Sequence, residues 1–558
     1  MSVVASSPET TRVRGARRSL LRSWRQRLRQ DWVWAALALI GLGGAVVRFT
    51  GGSWGLPLDL NSDEWVIVQG AIDMAKRHSF QPPYFFRPDH VEMQLSNLAY
   101  LAYSNLLHGS SPQTLYASDP APFILISRTI TACFGVAMIV AAYLIGRRFT
   151  REVGVLAALL VAFFPPFVSN SHFASPDVPL SLALMIVVLG CMRYLASPSW
   201  GNLLLASFGV SVAIAIKYPG ALGAVMIAIT VIVSGVQARA WSRILVHGAA
   251  AVGAVIGFLF AISPALFINI NAVMSNLTAE AGDYHPGADG LGWSGNMGFY
   301  AQGFATSGGI ILVMCFALGV VWSIRLRLLQ SIPLWSGVLV WVFLSALPLH
   351  WDRWGLPMFL TPLLIAPIGV YYSFTYLRGR GAPRWQLWGA GVLGAVAAVN
   401  LIMGSVVVAA GDVSKNTQSL APVLATRGID EANTIFEGYT PLLPGSPKFI
   451  FDRFEVVGGR LVLAGVHPAN SGMRYVVLSS DIDDRYQAEP KYGAEQRFYS
   501  LLDKQFPLLV TYTAAPQAKA TILEAVSTWN ALGYLGELAH GQFVGPRIKV
   551  YEIPTDRR

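Results

Sequence analysis

An acidic pair, Asp63-Glu64, is the first feature of the sequence that could do chemistry. It follows the first long apolar stretch, where a carboxylate at the membrane edge avoids the cost of burial in hydrocarbon. Such a carboxylate can take a proton from an attacking hydroxyl, which is typically worth about 10²–10⁴-fold in rate. The pair has a second explanation, because acidic residues also favour helix N-termini and a helix is predicted to begin near Trp65.

Further ionisable residues stand at the ends of apolar segments, where a charge is costly unless it is paired or used. They are Arg128, His172, Asp177, Lys217, His350 and Arg353. Arginine suits phosphate binding, since its planar guanidinium donates two parallel hydrogen bonds, and fixed cations stabilise charge developing on a leaving phosphate. Together with the acidic pair, these residues predict a site for glycosyl transfer from a phosphate-linked donor. Asp63 is the candidate base, and the cations are the candidate phosphate ligands.

Each of these residues also has a purely structural explanation. Asp177 could cap its helix, and Arg128 and Lys217 could extend their charged ends from apolar surroundings to water. Asp352 and Arg353 could form a solvated ion pair. The functional interpretation depends on the set meeting on one side of a membrane.

The composition indicates a polytopic membrane protein. Of the 558 residues, 54% are hydrophobic and 13% are charged, and the mean hydropathy is +0.49. That balance is too apolar for an ordinary soluble protein. The net charge of +10 resides in short basic clusters between apolar runs, so we expect it to fix membrane topology and expect no nucleic-acid partner. Cys133, Cys191 and Cys315 lie inside apolar stretches and imply no disulfide framework or cysteine metal site.

Apolar windows near the ~20 residues needed to cross a bilayer predict about eleven transmembrane helices. They cover residues 32–50, 123–145, 153–170, 178–196, 202–216, 219–236, 243–268, 308–325, 332–350, 354–377 and 386–410. Arginine-rich loops alternate with span number and fall on the side of the basic tail 1–31, which is expected in the cytoplasm. The extracytoplasmic side then receives the outer loop 51–122, the segments 171–176, 217–218, 269–307 and 350–353, and the carboxyl-terminal region.

Two regions outside the spans have predicted structure of their own. The outer loop is long enough to indicate function and contains two predicted interfacial helices, at 65–78 and 93–107, with an aromatic segment, 81–88, between them. Residues 411–558 contain no spanning window and are predicted to form an extracytoplasmic α/β or α+β domain. Strands are predicted at 449–451, 460–464, 475–479, 508–512 and 548–551, with a helix at 518–532.

Two weaker metal signals are present. The Asp481-Ile482-Asp483 motif fits a divalent-ion pattern of soluble nucleotide-sugar transferases, but it is interpreted as a polar turn after a strand. His285 is a candidate metal ligand that could approach the acidic pair across a cavity. Without a second histidine at a ligand spacing, a loop histidine is favoured. We therefore expect no cofactor beyond a divalent metal, and treat the lipid-linked sugar as a substrate.

The order and sidedness of these motifs resemble the GT-C glycosyltransferases. More narrowly, they resemble the protein O-mannosyltransferase and aminoarabinose-transferase-like group, glycosyltransferase family 39 and its relatives. The likeness rests on Asp63-Glu64, Arg128 with 143–148, the segment 172–177, Lys217 and the segment 353–357, and it spans roughly 32–410. Residues 475–480, 498–499 and 548–553 also resemble the outer domain of bacterial members. Trp354-Gly355 departs from the family, in which a tyrosine followed by an apolar residue is commoner.

The resemblance implies a polyprenyl-phosphate-sugar-dependent hexosyl- or pentosyltransferase of a bacterial plasma membrane. Its acceptor would be an extracytoplasmic protein, lipid or cell-envelope glycan, Asp63 would be the catalytic base with Glu64 its neighbour, and Arg353 would face the donor phosphate. Two other functions stay open. A transporter or flippase of lipid-linked sugar predicts inverted repeats and charges at mid-membrane. A non-catalytic envelope-assembly scaffold would function without Asp63.

Overall fold

The structure, a computed structural model, is mostly helical, with a small sheet region near the carboxyl terminus. It describes residues 32–56, 63–85, 87–280, 290–413, 424–430, 432–438, 440, 450–464, 472–488, 490–512, 532–533, 535–536, 539–540 and 547–557. Among these residues, eight helices are long and apolar enough to cross a membrane. The predicted fold class, a polytopic α-helical membrane protein with a small carboxyl-terminal α+β region, is confirmed.

The helices of the membrane region follow one another with short connections. They are α1 (Trp32–Phe49), α2 (Trp65–Lys76), α3 (His90–Leu101), α4 (Pro112–Ser118), α5 (Ala121–Gly146), α6 (Arg151–Ala162), α7 (Pro165–Ser169), α8 (Asp177–Ala196), α9 (Trp200–Ile216), α10 (Leu222–Gln237), α11 (Trp241–Ile262), α12 (Ala265–Ile268), α13 (Ile270–Glu280), α14 (Gly292–Arg325), α15 (Ser336–Ser345), α16 (Leu356–Gly379) and α17 (Arg384–Val413). A π-helical turn, Ala102–Leu107, continues α3, and 3₁₀ turns at Tyr218–Ala221, Leu329–Trp335 and Asp352–Gly355 precede α10, α15 and α16.

Each predicted span has a helical counterpart in the structure. Eight are the long apolar helices, and two are the shorter apolar helices Trp200–Ile216 and Leu329–Ser345. The remaining one is divided between α6 and α7. The count of eleven membrane crossings stays a prediction, since length and composition alone identify eight.

The third predicted span is not continuous, which corrects the expectation for 153–170. Helix α6 ends at Ala162, and Pro165 and Pro166 begin α7 because proline has no N–H for a helix interior but fits a first turn. The carbonyl oxygens at the end of α6 accept hydrogen bonds from buried Arg48, at 2.6 Å for Ala162 and 3.0 Å for Val161. A cation there also complements the helix dipole. Arg48 thus ties the end of α1 to the break.

Helix α14 begins sixteen residues earlier than the predicted span 308–325, so part of the expected outer loop 269–307 is helical. The helix contains a kink at Gly309, whose φ of 74° is a backbone conformation that glycine adopts without strain. Its later turns pack closely on α16 at Gly369. A Cβ added to Gly369 would lie only 2.2 Å from the carbonyl oxygen of Cys315 on α14, so only glycine fits there. This contact belongs to the large buried core of the membrane region.

The carboxyl-terminal region contains a mixed four-stranded sheet in the order β1, β4, β6, β5 and a separate β2–β3 hairpin. The elements are β1 (Thr434–Phe436), β2 (Phe454–Val457), β3 (Arg460–Leu463), β4 (Tyr475–Ser479), α18 (Ser480–Ala488), α19 (Gly493–Gln505), β5 (Leu508–Tyr512) and β6 (Ile548–Glu552). Strand β1 is parallel to β4, and β6 is antiparallel to both neighbours. Side chains of α18 and α19 pack on one face of this sheet.

Four of the five predicted strands of this region are present, at 460–463, 475–479, 508–512 and 548–552. The strand predicted at 449–451 is wrong in its described part, because Phe451 begins a 3₁₀ turn. The polar turn predicted at 481–483 is also wrong, since these residues form the first turn of α18, where acidic side chains complement the exposed N–H groups. The predicted helix 518–532 lies almost wholly outside the described residues.

Candidate active site

A cluster of paired charges forms where five separate segments meet. We define the charged cluster as Asp63, Arg87, Asp89, Asp177, Lys217 and Arg353. The segments are the start of α2, the loop before α3, the start of α8, the end of α9 and the 3₁₀ turn before α16. The structure thereby brings together four of the predicted residues, Asp63, Asp177, Lys217 and Arg353.

Asp63 is the most exposed of the three carboxylates in the charged cluster, and its side chain is 20% exposed. One of its carboxylate oxygens lies 2.8 Å from Nη1 of Arg353, and the other lies 3.8 Å from Nη1 of Arg87. The backbone carbonyl of Asp63 also accepts a hydrogen bond from Arg87 Nη2 at 3.1 Å. The side chain is therefore held between two guanidinium groups and still reaches solvent.

Asp177 joins the other two cations of the charged cluster. Its Oδ1 lies 2.7 Å from Lys217 Nζ, and its Oδ2 lies 4.0 Å from Arg353 Nε. Asp177 is 1% exposed, whereas Lys217 and Arg353 are 15% and 24% exposed. The Asp177 carboxylate is thus buried, and it holds two cations that are each partly exposed. Trp354 supports Lys217, with its ring centroid 5.4 Å from Nζ.

Arg87 and Asp89 belong to the charged cluster but were missed in the sequence. Arg87 Nε donates to Asp89 Oδ2, and Asp89 is fully buried with a left-handed φ of 48° just before α3. Burial raises the pKa of Asp89, and the neighbouring Arg87 acts in the opposite direction. The available signal was the Arg-Pro-Asp sequence at 87–89, where the aromatic segment 81–88 ends.

Glu64 and Arg128 form a separate buried pair beside the charged cluster. Arg128 donates to Glu64 Oε1 and Oε2 through Nε and Nη2 at 2.8 and 2.7 Å, and both side chains are almost fully buried. The Nη1 atom of Arg128 donates to the carbonyls of Gly52 and Trp54, and Glu64 Oε1 also accepts from the Ala174 N–H at 2.7 Å. Glu64 makes no side-chain cap for α2, so this pair connects three segments of the chain.

The histidines predicted for the site lie outside the charged cluster. His172 is buried, and its Nε2 lies 2.7 Å from the carbonyl oxygen of Val47 at the end of α1. The ring of His350 packs edge-on against Phe299, with centroids 4.4 Å apart. His285 lies outside the described residues. Within the ranges that the structure describes, no group of three or more His, Cys, Asp or Glu side chains is placed to hold a metal ion.

A second buried acid, Glu92, lies one turn beyond Asp89 on α3. Its Oε1 accepts a hydrogen bond from the hydroxyl of Thr131 on α5. Burial raises the pKa of Glu92 well above its ordinary range, with Asp89 and Glu64 contributing in the same direction. The hydrogen bond from Thr131 to Glu92 therefore connects α3 to α5.

Comparison with known proteins shows which fold the chain has. The sequence profile of the family described as dolichyl-phosphate-mannose-protein mannosyltransferase matches residues 125–266, and no curated protein matches the chain significantly. The apo structure of ArnT from Cupriavidus metallidurans aligns with a TM-score of 0.53 and 14% identity, over 94% of this chain and 98% of that chain. The apo oligosaccharyltransferase of Archaeoglobus fulgidus aligns with a TM-score of 0.52 and 10% identity, over 93% and 88%. The chain therefore has the GT-C fold and resembles the protein O-mannosyltransferase and ArnT-like group.

Proposed function

We propose that this protein is a membrane-embedded glycosyltransferase that moves a sugar from a polyprenyl-phosphate-linked donor to an extracytoplasmic acceptor, with Asp63 as general base. The observation that carries the proposal is the accessible Asp63 carboxylate held 2.8 Å from Arg353, with Lys217 and Arg87 in the same cluster. Glycosyl transfer from a phosphate-linked donor needs a general base for the acceptor hydroxyl and cations that bind the leaving phosphate.

The arrangement of ion pairs supports binding of a phosphate. Arg353 is shared between Asp63 and Asp177, and its weaker contact, at 4.0 Å, leaves the guanidinium able to turn to a new anion. A donor phosphate would compete for Arg353 and Lys217, because both are partly exposed. When Arg353 contacts the phosphate, one oxygen of Asp63 is released to accept a hydrogen bond from the acceptor hydroxyl. Donor binding would thus prepare the base.

The chemical step then follows directly. The acceptor oxygen attacks the anomeric carbon of the donor sugar while its proton passes to the carboxylate of Asp63. The bond between the anomeric carbon and the phosphate oxygen breaks, and its electron pair leaves with the polyprenyl phosphate. Arg353, Lys217 and Arg87 stabilise the negative charge that develops on that oxygen. The products are the glycosylated acceptor and a polyprenyl phosphate.

In this proposal Glu64 and Arg128 position the base and do not touch substrate. Their two hydrogen bonds fix the residue next to Asp63, and the Ala174 N–H adds a third point of attachment. Reacting groups must be held within a small distance of their productive geometry, and a rigid neighbour supplies that restraint. We assign His172 to the same kind of role, since it joins the segment before α8 to the end of α1.

We also propose the membrane orientation that the basic loops predict. The tail 1–31 would lie in the cytoplasm, the region 32–410 would form the membrane domain, and 411–558 an extracytoplasmic domain. All segments of the charged cluster come from loops or helix ends that the arginine pattern assigns to the outer side. That location favours transfer over transport, because a transport path would need charges deeper within the spans.

The experiment that tests the proposal is sugar transfer by the purified full chain in lipid nanodiscs. Radiolabelled hexosyl- and pentosyl-phosphopolyprenols would be offered with protein, lipid and glycan fractions of a bacterial envelope. We expect transfer by the wild type and loss of at least about 100-fold in Asp63→Asn. Asp119→Asn makes the same chemical change in an exposed helix-capping residue of the outer loop and should leave the rate unchanged. Transfer by no combination of donor and acceptor, or equal transfer by both variants, would contradict the proposal.

A further inference from the structure

The carboxyl-terminal domain contacts the membrane domain at the segment that carries Arg353. The guanidinium carbon of Arg485, on α18, lies 4.6 Å from the ring centroid of Trp351. Lys491, just after α18, lines the same cleft as Ser345 and Pro348 of the membrane domain. One cation of the domain therefore contacts Trp351, and a second lines a cleft beside residues 345–348.

Arg485 stands on a helix that is fixed to its own domain. Ile482 and Tyr486, on the same helix, are 0% and 5% exposed and pack in the core of the carboxyl-terminal domain. The preceding strand, β4, is held by the hydrogen bond from the Ser479 N–H to the buried carboxylate of Glu437 at 3.0 Å. A cation on so restrained a helix needs little ordering to contact an aromatic ring.

Trp351 is in turn connected to Arg353 through the backbone. The carbonyl of Trp351 accepts the hydrogen bond from the Trp354 N–H at 3.0 Å, which closes the 3₁₀ turn Asp352–Gly355. Arg353 lies inside that turn, and its guanidinium reaches Asp63 and Asp177. The ring of Trp354 also contacts Lys217. A displacement of Trp351 would therefore move both cations that face the proposed donor phosphate.

We propose that Arg485 is a positioning residue, through which the carboxyl-terminal domain holds Arg353 in place for the donor phosphate. The inference rests on the proposed function for the identity of the ligand, but the coupling between Arg485 and the turn is independent of it. Arg485 touches no reacting group and acts through Trp351. The carboxyl-terminal domain then helps to position a residue of the active site.

Steady-state kinetics of the full chain in nanodiscs test the functional half of the inference. Arg485→Ala should raise the KM for the lipid-linked donor about tenfold while the KM for the acceptor stays the same. Arg485→Lys should restore most of the loss, because it keeps a cation over the ring. Arg547→Ala removes one positive charge from the same domain at a residue that pairs with Asp484 instead, and it should behave as wild type. A donor KM in Arg485→Ala within twofold of wild type would overturn the inference.

Fluorine NMR of the chain labelled with 5-fluorotryptophan tests the structural half without any substrate. The Trp351 and Trp354 resonances would be assigned from Trp351→Phe and Trp354→Phe. We expect Arg485→Ala to shift both resonances and Arg547→Ala to shift neither. An unmoved Trp354 resonance in Arg485→Ala overturns the coupling whatever the activity. A wild-type protein that transfers no sugar overturns the proposed function, and the resonance then decides the coupling alone.

Discussion

Arg128 binds both carboxylate oxygens of Glu64, at 2.8 and 2.7 Å, in the buried interior beside the site. The next residue toward the N-terminus, Asp63, lies at the surface of the same site and contacts Arg353. Two adjacent carboxylates thus have different partners and different exposure. We infer a division of roles in which one fixes the backbone and the other takes the proton.

Removing one member of the Glu64–Arg128 pair should be costly for folding. Glu64→Gln or Arg128→Met leaves a buried group without its partner, and such losses typically cost about 3–5 kcal/mol. The double variant Glu64→Met/Arg128→Met removes both charges and should be at least as stable as either single variant. Thermal unfolding of the four proteins in one detergent measures this. Single variants that unfold at the wild-type temperature would show that the pair does not support the site.

Arg353 should be sensitive to the shape of its side chain as well as to its charge. Arg353→Ala should lower kcat/KM by about 10²–10³-fold, because the transition state loses a fixed cation that stabilises the charge developing on the phosphate. Arg353→Lys should give an intermediate rate, since lysine keeps the charge but cannot make two parallel hydrogen bonds. Arg378→Ala, at the other end of α16, is the matched control and should have the wild-type rate. Equal rates for Arg353→Ala and the control would remove Arg353 from the phosphate site.

Glu437 should make the carboxyl-terminal domain less stable as pH rises. Its carboxylate is fully buried between Tyr499, whose hydroxyl donates at 2.5 Å, and the Ser479 N–H, and burial raises its pKa to about 8. Because the folded-state pKa is the higher one, the stabilisation is complete below the unfolded value near 4.3 and is lost as pH rises toward 8. Within that window each pH unit costs about 1.4 kcal/mol.

Hydrogen exchange in the full chain measures this pH dependence. Amides of β4 and β6 should lose protection between pH 5 and about 8 after correction for the intrinsic exchange rate. Glu437→Gln, which cannot ionise, should show a flat profile over the same range. A wild-type profile as flat as that of the variant would mean that the carboxyl group is not the cause.

The sequence was most informative where a residue type is rare in its surroundings. Asp177, Lys217 and Arg353 stand at the ends of apolar segments, so each was conspicuous, and all three meet Asp63 directly or through one another. Arg87 lies in a loop without periodicity, and its contacts depend on how that loop folds back onto α2. Arg128 was noticed as a charge, but its bidentate contact with Glu64 depends on the packing of α5 against the outer loop.

Secondary structure was also predicted best where the sequence pattern is regular. Strands with regular apolar patterns were predicted within one residue, as for β4 and β6, whereas α14 begins sixteen residues before its predicted span. The break between α6 and α7 was not predicted, because the apolar window 153–170 includes Pro165 and Pro166 and its mean hydropathy does not register them as helix breakers. Residues 481–483 were predicted as a turn because polar residues directly follow a strand there. The same acidic residues favour a helix N-terminus, and they form the first turn of α18.

The most direct test of the account is single-turnover transfer with donor already bound. Wild type and Asp63→Asn would be saturated with the same lipid-linked sugar, with donor affinity measured separately, and then mixed with acceptor. The account predicts that the variant binds donor within a few-fold of wild type while its transfer rate falls by about 10²–10⁴-fold. A transfer rate near that of wild type would contradict the assignment of Asp63 as the base.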